Sequence, residues 1–448
     1  MRMGFLWHAC PATLDPMNAR TLLCLVLQAV VSTPIGSVFG QGDLTPPGAP
    51  TPTMKSLDQV EARTIVNSTN TPGNGIYAFV ISQAGSYYLA GKIAITTNGG
   101  ILVSAPGVTL NLNGFQISRS SGGGGTGIAV QTAANGCSIV NGSVTGFAYG
   151  VHCDTSPLPS PAGGTFKDLS VSGCTLTGII AGNYWRVDGC KSFNNVPGDS
   201  LRAGGLSTGN ACVVTNCAIS GNGGAIAAYV GSGSTVTDCS VTSNIGGYGL
   251  YADNGSTVTN CASMGNLSAV GILVDNGVLT KCSACSNAAG IYSNSSCVVE
   301  SCNASNNHFG STPGIGISSF FGSIIRNCEV VGNSGNGIQV IESCVVVGNT
   351  VTGNSNTTTS SAGIFVSSGM NNRIIANNVS GSSYGIRVVG NSNLVIQNSV
   401  NGNSLGNFQI DAGNYVGSIV TPTASGVITG NGPSLGLGTT DPWANIAY

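Results

Sequence analysis

Short alternations of apolar and polar residues fill the chain from Ile76 onward, and Gly, Asn and Ser interrupt them at regular intervals. Alternation with a period of two is typical of β-strands, and these interruptions are typical of turns. No long helical period breaks the pattern. The sequence therefore predicts a series of short strands from residue 76 onward.

The alternations repeat along the chain. A first apolar piece that resembles Gly-Ile-x-Val begins at Gly127, Gly150, Gly178, Gly205, Ala225, Gly249, Gly271, Gly290, Gly314, Gly337, Gly363 and Gly385. Eleven steps separate the first copy from the last, which gives roughly 23 residues per unit and is typical of a solenoid repeat.

Two more short pieces complete each unit. The second piece ends at Val214, Val236, Val258, Leu279, Val299, Ile325 and Val346 in successive units. The third begins three residues later, and its first residues form a ladder: Gly142, Leu169, Cys190, Cys217, Cys239, Cys261, Cys282, Cys302, Cys328, Asn349, Asn377 and Asn398. Alternation within each piece points residues i and i+2 inward, and its break between pieces marks a corner. Each unit is therefore expected to be one coil of three strands.

Asparagine recurs at the corner that follows the third piece, at Asn195, Asn222, Asn244, Asn266, Asn287, Asn306, Asn333, Asn354 and Asn403. Asn side chains hydrogen-bond along a stack and tolerate the left-handed backbone of a tight corner. These residues are therefore expected to stack from coil to coil.

The Gly-Ile strands and the Asn corners resemble the right-handed parallel β-helix repeat family, the pectate-lyase-like superfamily, over residues 100–410. The segments GSYYLAGKIAI (residues 85–95) and GVTLNLNGFQI (107–117) look like the first strands of its exported bacterial members. The resemblance implies an all-β, right-handed parallel β-helix solenoid of about 12–13 coils with three short strands per coil. It implies no single activity, because the family includes lyases, hydrolases, epimerases, adhesins and binding proteins.

The segments outside the repeat suggest export. Arg20 precedes the apolar run TLLCLVLQAVV, and Val38-Phe39-Gly40 suits a signal peptidase, so residues 1–40 are predicted to be a signal peptide, with Met17 as an alternative start. Residues 41–75 are predicted to be a Pro-rich linker with a short helical segment, 76–420 the β-helix, and 421–448 a closing segment. The protein is expected to be secreted, periplasmic or on the cell surface, with no membrane span after signal removal.

Composition excludes some partners. Only 7% of the 448 residues are charged, and 68 are Gly. The full chain has 16 acidic and 14 basic residues. Removal of residues 1–40 takes away Asp15, Arg2 and Arg20 and leaves 15 acidic and 12 basic residues. A nearly neutral chain without a basic stripe is not expected to bind nucleic acid.

Cysteine and aspartate are the candidates for metal or redox chemistry. Seven Cys occupy consecutive ladder positions, and buried unbridged stacking is favoured over regular disulfides because seven positions cannot all pair. The Cys-x4-Cys spacings are not a zinc signature. Asp253 and Asp275 each begin an Asp-Asn-Gly turn in adjacent coils and are the candidates for a Ca²⁺ site, although turn formation alone explains them better. No other cofactor is expected.

A catalytic cluster is not apparent, so the catalytic residues stay unknown. The pectate-lyase-like family uses clustered acidic Ca²⁺ ligands with a basic proton acceptor, or three Asp, and neither pattern occurs here. The four insertions into the repeat contain three chemically capable residues, Asp199, Arg202 and His308.

The x positions of the Gly-Ile-x-Val strands point outward and are unusually apolar. They are His152, Ile180, Ala227, Tyr251, Leu273, Tyr292, Gly316, Gln339, Phe365 and Arg387. Such a column suggests a covered or ligand-contacting strip, with Tyr251, Tyr292, His152, Phe365 and Arg387 as the candidate binding residues. The competing explanations are self-association and residues 55–66 folding back over the strip.

Three functions follow from these patterns. Non-catalytic binding of a polysaccharide or cell-surface glycan is favoured, because the solenoid suits a long ligand. A polysaccharide lyase or glycoside hydrolase is the second hypothesis, and a structural adhesin or stalk is the third.

Overall fold

The computed structural model describes residues 62–96, 99–120, 124–153, 161–196, 203–267, 270–308, 313–355, 361–421 and 439–448. All of the helices and strands that the structure could contain within these ranges are β-strands. The strands belong to one structural unit, residues 57–448. Each strand pairs in parallel with the equivalent strands of the neighbouring coils. The chain is therefore a right-handed parallel β-helix, as predicted.

The first sheet takes one strand from each coil and has 15 strands. They are β2 (Tyr77–Ile81), β5 (Gly99–Val103), β8 (Thr126–Val130), β10 (Tyr149–Cys153), β12 (Thr177–Ala181), β15 (Ala203–Thr208), β18 (Ile226–Val230), β21 (Tyr248–Ala252), β24 (Val270–Val274), β27 (Ala289–Ser295), β30 (Ile317–Phe321), β33 (Ile338–Glu342), β36 (Ala362–Val366), β39 (Tyr384–Val388) and β42 (Gly406–Ile410).

The other 30 strands form two further series, joined into one sheet by the long strands β9 (Ser138–Thr145) and β11 (Gly164–Ser172), which run through the corner between them. The second series is β1 (Thr64–Ile65), β3 (Gly85–Tyr88), β6 (Val108–Asn111), the first parts of β9 and β11, β13 (Trp185–Asp188), β16 (Val213–Thr215), β19 (Thr235–Thr237), β22 (Thr257–Thr259), β25 (Val278–Thr280), β28 (Val298–Glu300), β31 (Ile324–Arg326), β34 (Val345–Val347), β37 (Arg373–Ile375), β40 (Leu394–Ile396) and β43 (Tyr415–Val416). The third series is β4 (Ile93–Ile95), β7 (Gln116–Arg119), the second parts of β9 and β11, β14 (Lys191–Phe193), β17 (Ala218–Ser220), β20 (Ser240–Thr242), β23 (Ala262–Met264), β26 (Ser283–Cys285), β29 (Asn303–Ser305), β32 (Glu329–Val331), β35 (Thr350–Thr352), β38 (Asn378–Ser380), β41 (Ser399–Asn401), β44 (Ile419–Val420) and β45 (Asn445–Ala447).

Fifteen coils replace the 12–13 predicted. The twelve repeats found in the sequence correspond to β8 through β39 of the first sheet, and β2, β5 and β42 are the three that it missed. Two of these strands lack the Gly-Ile-x-Val pattern, because their sequences are YAFVI and GNFQI. The third, GGILV, carries the pattern from Gly100 and was overlooked.

Both ends of the stack extend beyond the predicted 76–420. At the start, Thr64 and Ile65 pair with Tyr87 and Tyr88, so these two residues form a strand within the range predicted as linker and helical segment. At the other end, β45 inserts between β41 and β44 and pairs in parallel with both. The final described residues therefore add a strand to the last coils.

The core is a narrow column of inward-facing aliphatic side chains. Val258 and Ile272 have no exposed surface, and Val258 pairs with Val236 and Leu279 on either side, which confirms the predicted inward register. The repeat glycine keeps the backbone close to this column. A Cβ atom at Gly249 would lie 2.8 Å from Ser263 Oγ and 2.9 Å from Asn266 Nδ2.

The corner after the third series holds a continuous asparagine ladder. From Asn195 to Asn354, each side chain donates through Nδ2 to Oδ1 of the next, over 2.8–3.4 Å. The ladder residue in one coil is Asn307, not the predicted Asn306, which precedes it with φ of 53°. Both roles predicted for one asparagine are therefore found at two adjacent residues: Asn306 adopts the left-handed backbone, and Asn307 stacks in the ladder.

The cysteine ladder lies at the corner between the second and third series. Its seven Cys are buried, and all fourteen cysteines among the described residues are free thiols. Burial raises the pKa of Cys174 to about 12, and the neighbouring thiols of Cys190 and Cys239, together with burial, raise the pKa of Cys217. Cys217 in the ladder and Cys174 outside it are therefore packed as small, neutral groups.

The part of the chain that the structure describes contains no helix long and apolar enough to cross a membrane.

Candidate functional site

The outward face of the first sheet carries the apolar column, with two corrections to its members. Strand pairing places Tyr229 between Ser207 and Tyr251, so Tyr229 occupies the position predicted for Ala227. Ser318 pairs with Tyr292 and Gln339, so it occupies the position predicted for Gly316. Both errors come from neighbouring small residues that imitate the repeat glycine.

Four tyrosines gather on two neighbouring coils and the next but one. The rings of Tyr229 and Tyr251 meet edge to face with centroids 5.5 Å apart, and those of Tyr248 and Tyr251 are 5.9 Å apart. Tyr292 lies two coils from Tyr251, with Leu273 between them in the column. Tyr248, Tyr251 and Tyr292 pack on a small outward cluster of Val270, Leu273 and Ala289. We call Tyr229, Tyr248, Tyr251, Leu273 and Tyr292 the tyrosine strip.

Each of two strip tyrosines is hydrogen-bonded to an aspartate of the following coil. Tyr229 donates its hydroxyl to Asp253 Oδ2 over 3.1 Å, and Tyr251 donates to Asp275 Oδ2 over 2.6 Å. Because both aspartates directly follow first-sheet strands, the same geometry repeats one coil further along. The bonds fix the orientation of two rings on the outward face.

The two carboxylates accept further hydrogen bonds from neutral groups. Asp253 Oδ2 accepts from Ser232 Oγ over 3.0 Å, and its Oδ1 accepts the backbone N–H of Asn254 over 2.7 Å. Asp275 Oδ1 accepts from Asn294 Nδ2. The described residues contain no group of three or more His, Cys, Asp or Glu side chains that could hold a metal ion. Asp253 and Asp275, the candidates for a Ca²⁺ site, each form a pair with a tyrosine of the preceding coil.

The ionisation of the strip follows from these contacts. Burial and the nearby Asp253 carboxylate raise the pKa of Tyr229 to about 12, and burial with a hydrogen bond to Asp275 raises the pKa of Tyr251. Burial opposes ionisation of Asp253, but the bonds from Asn254, Ser232 and Tyr229 outweigh it and lower the pKa of this carboxyl. At neutral pH the tyrosines are thus hydroxyl donors and Asp253 is an anion.

The remaining candidates of the column lie on either side of the strip. The ring of His152 stacks on Tyr149 with centroids 4.7 Å apart. At the other end, the Arg387 guanidinium lies 5.3 Å from the Phe365 ring centroid and 5.6 Å from that of Tyr384. Phe365 also lines a shallow concavity of about 310 Å³ together with Asn336, Gln339, Ser361, Pro313, Ile315 and Gly335.

The loop candidates are not brought to the strip. Asp199 and Arg202 lie outside the described residues. His308 is exposed at the corner before the first sheet, and its backbone N–H donates to Asn287. Thr64 and Ile65 pair with β3 in the first coils, so this part of the segment 55–66 does not cover the strip; residues 55–61 lie outside the described residues.

Sequence reasoning found Tyr251 and Tyr292 but missed Tyr229, Tyr248 and the Tyr–Asp bonds. Tyr248 had a visible signal, because it lies three residues before Tyr251 and immediately before the repeat glycine. The Tyr–Asp bonds join residues 24 apart and depend on the register between coils, which no single repeat reveals. The assembled site offers aromatic faces, hydroxyl donors and two carboxylates.

Comparison with known proteins gives a family but no close relative. A family model described as "Right handed beta helix region" matches residues 99–263, 160–351 and 243–379. No curated protein matches the sequence.

Solved structures with a similar backbone include the mannuronan C-5 epimerase AlgE4 A-module of Azotobacter vinelandii, at 14% identity and TM-score 0.42, covering 75% of this chain and 91% of that one. A mutant of the periplasmic alginate epimerase AlgG is 15% identical with TM-score 0.36, covering 80% and 81%. Pectate lyase Pel9A is 16% identical with TM-score 0.31, covering 61% and 71%.

Proposed function

The chain belongs to the right-handed β-helix family, and from that premise we propose that it binds a polysaccharide along the outward face of the first sheet without cleaving it. The observation that carries the proposal is the tyrosine strip. An outward sheet surface usually carries small polar and charged residues, whereas this one groups aromatic rings with an aliphatic cluster. Aromatic side chains with a polar end are typical of ligand-contacting surfaces.

The spacing of the rings supports an extended ligand. Tyr251 and Tyr292 are two coils apart, about 10 Å at the usual strand spacing. Rings at that interval suit alternate sugar units of a polysaccharide that runs along the stack. Phe365, three coils beyond Tyr292, continues the same line beside its shallow concavity.

The hydrogen bonds of the strip favour binding over catalysis. The carboxylates of Asp253 and Asp275 each accept hydrogen bonds from a tyrosine hydroxyl and from an amide. These contacts hold the rings in place, and rigid aromatic anchors are what a preorganised binding surface requires. Export directed by residues 1–40, which we also propose, would bring this surface to extracellular or periplasmic glycans.

The test is a double substitution, Tyr251→Ser with Tyr292→Ser, measured by affinity electrophoresis in gels that contain neutral or acidic polysaccharides. Loss of two aromatic contacts should weaken the retention constant by at least about tenfold. Tyr415→Ser is the matched control, because Tyr415 is 68% exposed in the last coils and lies outside the first sheet. Its retention should equal that of the wild type.

The competing functions give different results in the same experiment. Unsaturated or new reducing-end products from any retained polymer would show that the protein is a lyase or a hydrolase. Unchanged retention of the double variant, with a changed sedimentation coefficient, would show that the strip is a self-association surface. Either result would overturn non-catalytic binding at this face.

A further inference from the structure

We infer that the tyrosine strip selects uncharged polysaccharides over polyuronates, an inference that rests on the binding function proposed above. It names the chemical class of the ligand from the distribution of charge around the strip. The relevant comparison is between two polymers of the same linkage that differ only in whether carbon 6 is part of an uncharged group, a hydroxymethyl or a methyl ester, or of a carboxylate.

The face itself is uncharged over many coils. Each first-sheet strand has two outward positions, the residue before the repeat glycine and the second residue after it. From the coil of Thr177 to that of Phe365, neither position carries a charged residue within the described ranges. The nearest ionisable members of the column, His152 and Arg387, lie three coils before Tyr229 and four coils after Tyr292.

The edge of this face is acidic. Asp253 and Asp275 follow the strands of the strip directly, and Glu342 lies further along the same edge at the end of β33. Over the same coils, the two residues that follow the inward end of each first-sheet strand include no Lys or Arg in the described part of the chain. A polymer on the tyrosine rings therefore lies beside carboxylates.

The strip carboxylates accept their hydrogen bonds from neutral groups. Their hydrogen-bond partners are hydroxyl, amide and backbone N–H groups, which stabilise a carboxylate without neutralising it. A carboxylate on each sugar of the ligand would meet this charge at a few ångströms. Like charges at that distance disfavour binding, and salt reduces the effect because the Debye length falls from about 30 Å at 0.01 M to about 8 Å at 0.15 M.

The experiment compares matched polymer pairs: β-1,4-mannan with polymannuronate, cello-oligosaccharides with cellouronate, and methyl-esterified with free polygalacturonate. Dissociation constants are measured by calorimetry at 0.02 M and 0.5 M NaCl. In every pair that binds, the uronate should bind at least about fivefold more weakly at low salt, and the ratio should approach one at high salt.

Two variants locate the effect. Asp253→Asn with Asp275→Asn removes the charge and keeps an oxygen that accepts the tyrosine hydroxyl, so the ratio between paired polymers should fall toward one at low salt. Asp188→Asn is the control, because Asp188 lies in β13 of the second series, outside the first sheet. It should leave the ratio unchanged.

The outcomes separate this inference from the proposed function. Uronates that bind as tightly as their neutral partners, with affinity still lost in the Tyr251→Ser and Tyr292→Ser variant, would overturn the selectivity and leave the binding function intact. A double tyrosine variant that binds every polymer like the wild type would overturn the binding function itself. A ratio that the two Asp substitutions do not change would show that these carboxylates are not its cause.

Discussion

Cysteine and asparagine occupy equivalent positions in the ladder between the second and third series but make different hydrogen bonds. The Cys261 Sγ donates to the carbonyl of Thr259 over 3.3 Å, and the backbone N–H of Cys261 donates to the Cys282 Sγ over 3.4 Å. Asn349 accepts the N–H of Cys328 over 2.9 Å and donates to Ile325 over 3.1 Å. Asn349 also donates to Oδ1 of the next ladder residue over 2.9 Å, a bond that a thiol does not reproduce.

This difference predicts opposite effects for one substitution at two ladder positions. In Cys328→Asn, the new Nδ2 faces Asn349 Oδ1 and extends the asparagine ladder. The free energy of unfolding should therefore lie between the wild-type value and about 1 kcal/mol above it. In Cys261→Asn, the next ladder residue is Cys282, whose sulfur is a poor acceptor, so stability should fall by about 1–2 kcal/mol. Urea unfolding followed by circular dichroism measures both.

Cys328→Ala is the control for the loss of the thiol alone. It should be less stable than Cys328→Asn, because alanine fills less of the buried space and makes no hydrogen bond at this position. If both asparagine variants lose the same stability, the neighbouring ladder residue does not decide the outcome.

Single residues also show where sequence reasoning stops. The inward register at Val258 and the order of the ladder follow from periodicity alone, and both are confirmed. The choice between Asn306 and Asn307 does not, because adjacent asparagines satisfy the pattern equally. They are distinguished by the bonds of Asn307 to Asn287 and Asn333 and by the positive φ of Asn306. The same ambiguity at Ala225 removed Tyr229 from the predicted strip.

At the scale of the strand and its corner, the Tyr–Asp pairs join consecutive coils at the surface. Tyr229 in β18 bonds to the aspartate that follows β21, so the contact supplements the backbone pairing of those two strands. Sequence periodicity predicts that the strands are neighbours. It does not predict the bond, because the rotamers of two side chains in different coils decide whether their polar ends meet.

This contact predicts a pH-dependent effect of Asp253→Asn. The pKa of Asp253 in the folded protein lies below its ordinary value of 3.8, so the ionised carboxylate stabilises the fold above that value. Its contribution is lost as the pH falls through the lower, folded pKa. The wild type should therefore be more stable than Asp253→Asn at pH 6, and the difference should shrink below pH 3.8.

Urea midpoints at pH 6, 4 and 2.5 provide the measurement. Asn254→Ala is the comparison variant. It removes the side-chain amide that donates to Asp253 but leaves the Asp253 carboxyl in place, so this carboxyl still titrates. A stability difference between the wild type and Asp253→Asn that stays constant from pH 6 to 2.5 would mean that ionisation of this carboxyl does not stabilise the fold.

At the scale of the whole β-helix, each coil contacts the coils directly before and after it. Stability in such a stack is a sum of coil contributions and contacts between neighbours, so coils of equal length are interchangeable units. The central coils meet this condition. The asparagine ladder steps by 22 residues from Asn222 to Asn244 and again to Asn266, and Ile226 pairs with Tyr248 at the same interval.

This regularity predicts that one central coil can be removed. Deleting residues Ala227 to Tyr248 joins Ile226 to Gly249, places Val214 beside Val258, and places Asn222 beside Asn266. Every inward position and all three corners at the junction then gain an equivalent neighbour. The shortened protein should fold into fourteen coils, with an unchanged β-sheet circular dichroism spectrum per residue and a modestly lower stability.

A deletion longer by one residue is the control that tests the physical reason. Removing Ala227 to Gly249 joins Ile226 to Leu250, so the repeat glycine is lost and the side chains of the following strand shift by one position. A one-residue shift moves inward residues to the outward face, and Leu250 and Ala252 are both buried in the native coil. This variant should aggregate or unfold. Equal folding of the two deletions would contradict a stack held by register.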